Sequence, residues 1–281
     1  MKEGPTNILY LMTLCLSLTI YTTTTQAQEE KKALPLWEMG LAAGVFSIPH
    51  YVGSDQRYTL PLAAPYIVYR GDIIRADSDG LRGRLFDKNG ISLDLDFSFG
   101  LPVKSSNRAR QGMPDINLVG QVGPQINVLL EDNNQGSLSI HLPWRFAMDT
   151  SPLYLGWVIE PSVRYKRYDL LPELHKMTLR IEAGLLYASQ HYNHTYYGVD
   201  PIYATANRPT YQAKQGMHSY FADTSLHYNI DNNLSIAAVV RMRSLAGSVN
   251  RNSPLIRQNY YFSAGIAMVW SFVFSDETVW R

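Results

Sequence analysis

The fold of this chain is decided by the stretch Ile91-Ser92-Leu93-Asp94-Leu95-Asp96-Phe97-Ser98-Phe99-Gly100-Leu101. Every odd position holds a large apolar residue, and every even position is polar or glycine. Because side chains two apart lie on the same face of a β-strand, this period predicts a strand with one apolar and one polar face. Such a strand fits a soluble sandwich with an apolar core, and it also fits a transmembrane barrel with lipid outside and a polar lumen.

The first 27 residues have the features of a signal peptide. An apolar run from Ile8 to Tyr21 is too short to span a bilayer as a helix, and small residues follow it up to Ala27. We expect cleavage after Ala27, which removes Cys15, the one cysteine of the chain, with one base and one acid. The mature chain then keeps a net charge of +1 and has no thiol. This excludes disulfides and cysteine metal sites, and it argues against nucleic-acid binding.

The alternation recurs along the rest of the chain, with a polar lead-in at 28–35, a barrel at 36–274 and a tail at 275–281. Eight clear strands are predicted from Ile91 onward: 91–101, 118–128, 137–148, 153–166, 177–187, 220–228, 234–242 and 260–274. Residues 36–48 add one more. Two turn-like stretches inside 57–88 favour three short strands there. Because barrels with both termini on one side have an even strand number, we predict twelve strands, with ten as the alternative.

Two features favour a transmembrane barrel over a sandwich. Short connections (87–90, 131–136, 169–175, 229–233) alternate with longer or more variable ones (102–116, 149–152, 189–216, 246–256), as in barrels with a rim of turns and a rim of loops. Aromatic residues also lie near the ends of the apolar faces, where bilayer interfaces favour them: Trp37, Tyr165, Tyr187, Tyr220, Tyr228 and Tyr260. The sequence therefore predicts an all-β, antiparallel, up-and-down transmembrane barrel.

The polar faces carry charges, which a transmembrane barrel would place in its lumen: Glu38, Arg82, Arg84, Asp94, Asp96, Arg145, Glu160, Arg164, Arg180, Glu182, Arg241 and Arg243. Because an unpaired buried charge is costly, we expect acids and bases on neighbouring strands to pair or to be solvated. The favoured interpretation is a structural network that fills a small barrel. The alternative is a narrow polar pore with a basic stripe.

Candidate catalytic and metal-binding residues give weaker signals. Ser139 and His141 lie two apart on the predicted lumen face, which is misplaced for attack on membrane lipid. The alternation places His218 on the lipid-facing side of its strand near a rim, where we expect an interfacial histidine. His191 and His194, with Asp200 nearby, give a weak metal signal, and a polar surface loop is the simpler interpretation. We therefore predict no catalytic residue, no metal and no cofactor, and a non-enzymatic protein.

Several short motifs are similar to those of the MipA/OmpV family of outer-membrane proteins. They are Tyr51-Val52-Gly53-Ser54-Asp55, Leu60-Pro61, Tyr69-Arg70-Gly71, Gly80-Leu81-Arg82, Tyr196-Tyr197-Gly198-Val199, Tyr211, Gly216 and Ser253-Pro254-Leu255. The resemblance covers essentially the whole mature chain. Family members typically end on an aromatic residue at the last strand. The equivalent here is Phe274, and the tail that follows it departs from this pattern.

The resemblance implies a barrel in the outer membrane of a Gram-negative cell, surrounded by lipid and lipopolysaccharide. It also implies an envelope scaffold that links a lytic transglycosylase, MltA, to a peptidoglycan synthase. A passive small-solute channel is the second hypothesis for the function, and a lipid-active barrel enzyme is the third.

Overall fold

The computed structural model of the protein describes residues 33–77, 80–171 and 176–280, and the predicted signal peptide lies outside these ranges. The strands in these ranges are β1 (Ala33–Pro35), β2 (Trp37–Pro49), β3 (Arg57–Arg70), β4 (Ile74–Asp77), β5 (Gly80–Lys88), β6 (Ile91–Gly100), β7 (Val119–Asn133), β8 (Gly136–Asp149), β9 (Tyr154–Ile159), β10 (Ser162–Arg167), β11 (Met177–Ala188), β12 (Gly216–Asn229), β13 (Leu234–Ser244), β14 (Tyr260–Phe274) and β15 (Thr278–Trp280). The helical elements are the 3-10 turns η1 (Arg108–Arg110) and η2 (Pro201–Tyr203) and the helix α1 (Gln190–Tyr197).

Strands β2 to β14 form a closed antiparallel barrel. Neighbours in sequence pair with each other around the ring, and β14 pairs with β2 to close it. Strands β9 and β10 occupy one position, because both lie between β8 and β11 and are interrupted near Pro161. The ring therefore has twelve strands, and the predicted up-and-down barrel is confirmed. The region 57–88 supplies three of them, although β3 is longer than expected, with 14 residues.

The outer face of the ring is apolar. Residues on β8 alternate between exposed and buried from Ile140 to Met148, so that its large apolar side chains point outward. Apolar side chains on other strands are also exposed, among them Leu41, Leu62, Ile126, Val163, Ile266 and Trp270. An apolar belt around a closed sheet is the surface that hydrocarbon requires. None of the helices in the described ranges is both long and apolar enough to cross a membrane.

The two rims differ in the length of their connections. One rim carries the short connections 71–73, 89–90, 134–135 and 230–233, and we call it the turn rim. The other carries the longer connections 50–56, 101–118, 189–215 and 245–259 together with the short connection 150–153, and we call it the loop rim. Tyr187, Tyr220 and Tyr260 lie near the loop rim, and Trp37, Tyr165 and Tyr228 lie near the turn rim. The structure thus has the two aromatic belts that the sequence predicts.

The predicted lead-in and tail form a small sheet of their own at the turn rim. Ala33–Pro35 pairs antiparallel with Thr278–Trp280. The backbone N–H of Leu36 donates to the carbonyl of Glu277 at 2.8 Å, which ties this sheet to the start of β2. The last barrel strand ends at Phe274, as the family resemblance predicts.

Two β-bulges reverse the predicted direction of important side chains. A register shift opposite Ala147 and Met148 turns Leu155 inward, where it is 5% exposed, although its phase predicted a lipid-facing residue. A second shift, at Leu186 and Tyr187, makes His218 an extra residue that is 2% exposed. The prediction of an interfacial His218 is therefore wrong. One inserted residue moves every later side chain to the other face, and alternation alone does not reveal it.

Gly156 in β9 provides a test of the first bulge. It has φ of +115°, and a Cβ there would overlap the Ser189 hydroxyl and lie 2.7 Å from the Tyr192 backbone nitrogen. Gly112 also has positive φ, +78°, but nothing lies within 4 Å of its Cβ position. Alanine at either site costs about 1–2 kcal/mol of backbone strain, and only Gly156→Ala adds a steric clash.

We therefore expect Gly156→Ala to lower the unfolding temperature of the barrel clearly more than the control Gly112→Ala does. The measurement is the temperature at which the fast-migrating folded form disappears in gel electrophoresis. Equal midpoints for the two variants would contradict the packing of α1 against this bulge.

Candidate functional site

A row of charged side chains crosses the lumen of the barrel. Arg145 donates from Nη1 to Asp96 Oδ2 at 2.7 Å, and its Nη2 lies 3.4 Å from Glu160 Oε2. On the other side of Glu160, Arg243 Nη2 approaches the same oxygen at 3.7 Å. Asp96 lies on β6 and Arg243 on β13, which are six positions apart in the ring of twelve. These four residues, which we call the crossing layer, therefore span the lumen from wall to wall.

Burial explains why the crossing layer is continuous. Arg145 is 8% exposed and Arg243 is 9% exposed, so each guanidinium must find its counter-charge inside the protein. Glu160 lies between the two arginines and serves both. Arg243 also lies over the ring of Phe221, 5.1 Å from its centroid, which adds a cation–π contact.

Other lumen charges pair locally. The ion pairs and their distances are Glu38–Arg70 at 2.6 Å, Asp77–Arg82 at 2.7 Å, Asp94–Arg84 at 3.5 Å, Glu182–Arg164 at 2.8 Å and Asp223–Arg241 at 2.8 Å. Arg84 also pairs with Asp87. Arg180 lies in register between Lys166 and Ser225. Most of these pairs join strands that are neighbours in the ring, which is where the sequence analysis expected partners.

Three members of this network are not among the lumen charges that the sequence predicts. Arg70 and Asp77 lie at the ends of β3 and β4, and both side chains pair with predicted lumen residues. Asp223 lies on the polar phase of β12, opposite Arg241. The pattern there is mixed, because Phe221 is apolar and shares the buried lumen face with Asp223.

The loop rim is closed by a cap, which we define as the connections 50–56, 101–118, 189–215 and 245–259. Tyr192, Tyr196 and Tyr197 of α1 are buried in it, against a cluster that includes Tyr51 and Leu245. The Tyr197 hydroxyl donates to the Val52 carbonyl at 3.0 Å and lies 3.1 Å from His218 Nε2. Burial raises the pKa of the Tyr197 phenol well above its ordinary value. The prediction of a polar surface loop at 189–216 is therefore wrong for α1.

Three of the family motifs meet in this cap. The Tyr51 hydroxyl donates to the carbonyl of Leu255 at 2.6 Å, and the Ser253 hydroxyl donates to the carbonyl of Tyr197 at 2.7 Å. Ser54 Oγ accepts from Asn107 Nδ2 at 3.1 Å, which ties in the 101–118 connection. The motifs are separate in sequence because each belongs to a different loop, and together they hold the mouth of the barrel closed.

The remaining motif residues have simpler roles. Gly53, at φ of +98°, turns the chain so that its carbonyl accepts from the backbone N–H groups of Arg257 and Gln258. Asp55 pairs with Arg108 at 3.0 Å, and Pro254 lines a surface cavity of about 440 Å³ beside it. Gly71 lies in the turn after β3, and Gly80, at φ of +109°, begins β5.

The predicted metal candidates do not come together as a site. His194 Nε2 lies 3.0 Å from Asp200 Oδ1, while the ring of His191 packs edge-on against Tyr154. Among the residues that the structure describes, no group of three or more His, Cys, Asp or Glu side chains is placed to hold a metal ion.

The sequence of this closed, capped barrel matches the model of the family described as "MltA-interacting protein MipA" over residues 41–272. The chain belongs to the MipA family. The match covers most of the chain, and it confirms the resemblance inferred from the motifs. Membership of this family, together with the closed barrel, fits a protein of an outer membrane. No curated protein sequence matches this MipA family member significantly.

Solved structures that resemble the chain do so at low identity. A bacterial polysaccharide outer membrane secretin is 9% identical, with a TM-score of 0.39, over 86% of this chain and 100% of that one. A FadL homologue of Pseudomonas aeruginosa is 9% identical, with a TM-score of 0.31, over 77% and 61% of the two chains. The toluene transporter TodX of Pseudomonas putida is 10% identical, with a TM-score of 0.26, over 85% and 68%.

Because the crossing layer is buried, removing one of its charges should cost much more stability than removing a charge from an exposed ion pair. Replacing Arg145 by leucine leaves Asp96 and Glu160 without their shared cation, and we expect it to lower the free energy of unfolding by about 3–5 kcal/mol. The control is Lys104→Ala, which removes the solvent-exposed partner of Asp115 and should leave stability unchanged within error. Urea unfolding in detergent, followed by tryptophan fluorescence, measures both. A similar small effect for the two variants would contradict a buried layer.

Proposed function

We propose that this protein is a scaffold in the outer membrane of a Gram-negative cell, embedded in lipid and lipopolysaccharide, that holds murein enzymes beneath it. Its partners would be a lytic transglycosylase of the MltA type and a peptidoglycan synthase. The name of the family, MltA-interacting protein, supports the first partner. The scaffold role needs no chemistry of the barrel itself, in keeping with the predicted non-enzymatic function.

The observation that carries this proposal is the filled interior. The crossing layer spans the lumen, and the cap closes the loop rim with buried tyrosines. A solute moving along the axis would have to separate buried ion pairs that stabilise each other. This arrangement favours a rigid support over the passive small-solute channel, which is the second candidate.

The turn rim supplies a surface that such partners could bind. Among the residues that the structure describes at this rim, the exposed ones include more acids than bases: Asp87, Glu131, Asp132, Asp169, Asp231, Asp276 and Glu277, beside Lys88 and Lys176. In the 230–233 turn, the backbone N–H groups of Asn233 and Leu234 donate to Asp231 and hold its pKa below the ordinary value. An acidic rim is suited to a basic patch on the partner, and exposed charges make such binding depend on salt.

Binding of a purified MltA-type transglycosylase to the barrel in detergent tests this role. We expect binding that weakens as NaCl is raised, and that falls at least tenfold in the triple variant Glu131→Gln, Asp132→Asn, Asp169→Asn. The control is Asp200→Asn in the cap on the opposite rim, which should bind as the unchanged protein does. Absence of binding, or equal loss in the control, would overturn the proposal.

Electrical recording in planar bilayers separates the scaffold from the channel. Because the crossing layer and the cap obstruct the lumen, we expect no regular conductance steps from the purified protein. Reproducible open steps at modest voltage would favour the channel instead.

A further inference from the structure

Three polar side chains on the lumen face of β7 and β8 form a continuous row of hydrogen bonds. Ser139 Oγ lies 2.8 Å from His141 Nε2, and His141 Nδ1 lies 2.7 Å from Asn127 Oδ1. Strand pairing places Asn127 directly opposite His141, and Ser139 lies two residues before His141 on the same face. The order is a hydroxyl, an imidazole and an acceptor that orients the imidazole, which is the arrangement of a serine nucleophile with its base.

The direction of each hydrogen bond in this row follows from Asp94. Its carboxylate can only accept, so the group of Asn127 that lies 2.9 Å from it is the amide Nδ2, which also donates to Ser92 Oγ at 3.0 Å. The carbonyl oxygen of Asn127 therefore faces His141, and Nδ1 of the imidazole must carry the proton. In the neutral imidazole, the lone pair on Nε2 is then directed at the Ser139 hydroxyl, as a general base requires.

Charged groups on the neighbouring strands complete the surroundings. Arg164 lies opposite Ser139 across the β8–β10 pair, and its Nε donates to Glu182 at 2.8 Å. Ser162 lies opposite His141 and donates to the same carboxylate at 2.6 Å. A guanidinium beside the serine can stabilise a developing oxyanion, and a carboxylate beside the histidine can stabilise the imidazolium.

The position of the row determines which substrates can reach it. Ser139 is three residues from the start of β8, about 10 Å along the strand from the turn rim, whereas Arg145 of the crossing layer lies deeper. Ser139 itself is half-buried, and the Arg164 and Glu182 side chains next to it are 15% and 14% exposed. The lumen wall separates the row from membrane lipid. A small soluble molecule entering from the turn rim is the ligand that this geometry allows.

We propose that Ser139, His141 and Asn127 form a hydrolytic site for short carboxylic esters within the barrel. The site goes beyond the scaffold role and would revise the prediction of a non-enzymatic protein. Ser139 Oγ attacks the ester carbonyl carbon while its proton passes to His141 Nε2. The bond to the alcohol then breaks, and His141 returns the proton to the departing oxygen. Water attacks the acyl-serine, gives a proton to His141 and releases the acid, and Ser139 regains its proton.

An organophosphorus probe tests the nucleophile directly. Diisopropyl fluorophosphate reacts with an activated serine to form a phosphorus–oxygen bond with loss of fluoride. We expect one adduct by intact mass, located at Ser139 by peptide mapping and absent in Ser139→Ala. His141→Ala should slow labelling at least a hundredfold, as for loss of a general base. Asn127→Ala should slow it as well, because it removes the acceptor that orients the imidazole.

The matched control is Ser137→Ala, two residues earlier on the same face of β8, which should be labelled as the unchanged protein is. Hydrolysis of p-nitrophenyl acetate should follow the same order among the variants. All variants are first checked for the heat-dependent gel shift of a folded barrel. Absence of an adduct in the folded protein, or labelling that is unaffected by His141→Ala, would overturn the proposal. Ser139→Ala should still bind the transglycosylase, so the outcome is independent of the scaffold test.

Discussion

The pairing of β14 with β2 is the interaction on which the whole structure depends. A backbone N–H or carbonyl left without a partner in hydrocarbon costs several kcal/mol, so a sheet can cross a membrane only when it has no free edge. Closing the ring satisfies both edge strands at once and separates the outer face from the lumen. Every other feature follows from this separation, because apolar side chains must then point outward and polar ones inward.

The separation also explains why so many charges are tolerated inside. Most of the ion pairs described above join neighbouring strands, whereas in the crossing layer Glu160 joins two arginines from distant parts of the ring. Ion pairs of this kind add little net stability, but their loss is costly, so they fix the shape of the interior. A barrel held in one shape is suited both to supporting partners at its turn rim and to keeping Ser139, His141 and Asn127 in register.

The sequence was sufficient to predict the strands, their number and the direction of most side chains, because the alternation on strands such as β6 and β8 is nearly perfect. It failed where one residue was inserted without a change in composition, as at Leu155 and His218. The burial of α1 could not be predicted either, since its tyrosines are amphipathic and suit a surface as well as a core. The bond from His141 to Asn127 depends on the register of β7 against β8, which residue types alone do not determine.

The small sheet of β1 and β15 joins residues from opposite ends of the described chain. Such a contact can form only after the final residues have been synthesised, and it spans almost the entire length of the polypeptide, so it belongs to the slow class of long-range contacts in folding. The sheet links the two segments that flank the β14–β2 pair, where the ring closes. In a chain that lacks either terminal segment, the hydrogen bonds between β14 and β2 alone would keep the ring closed.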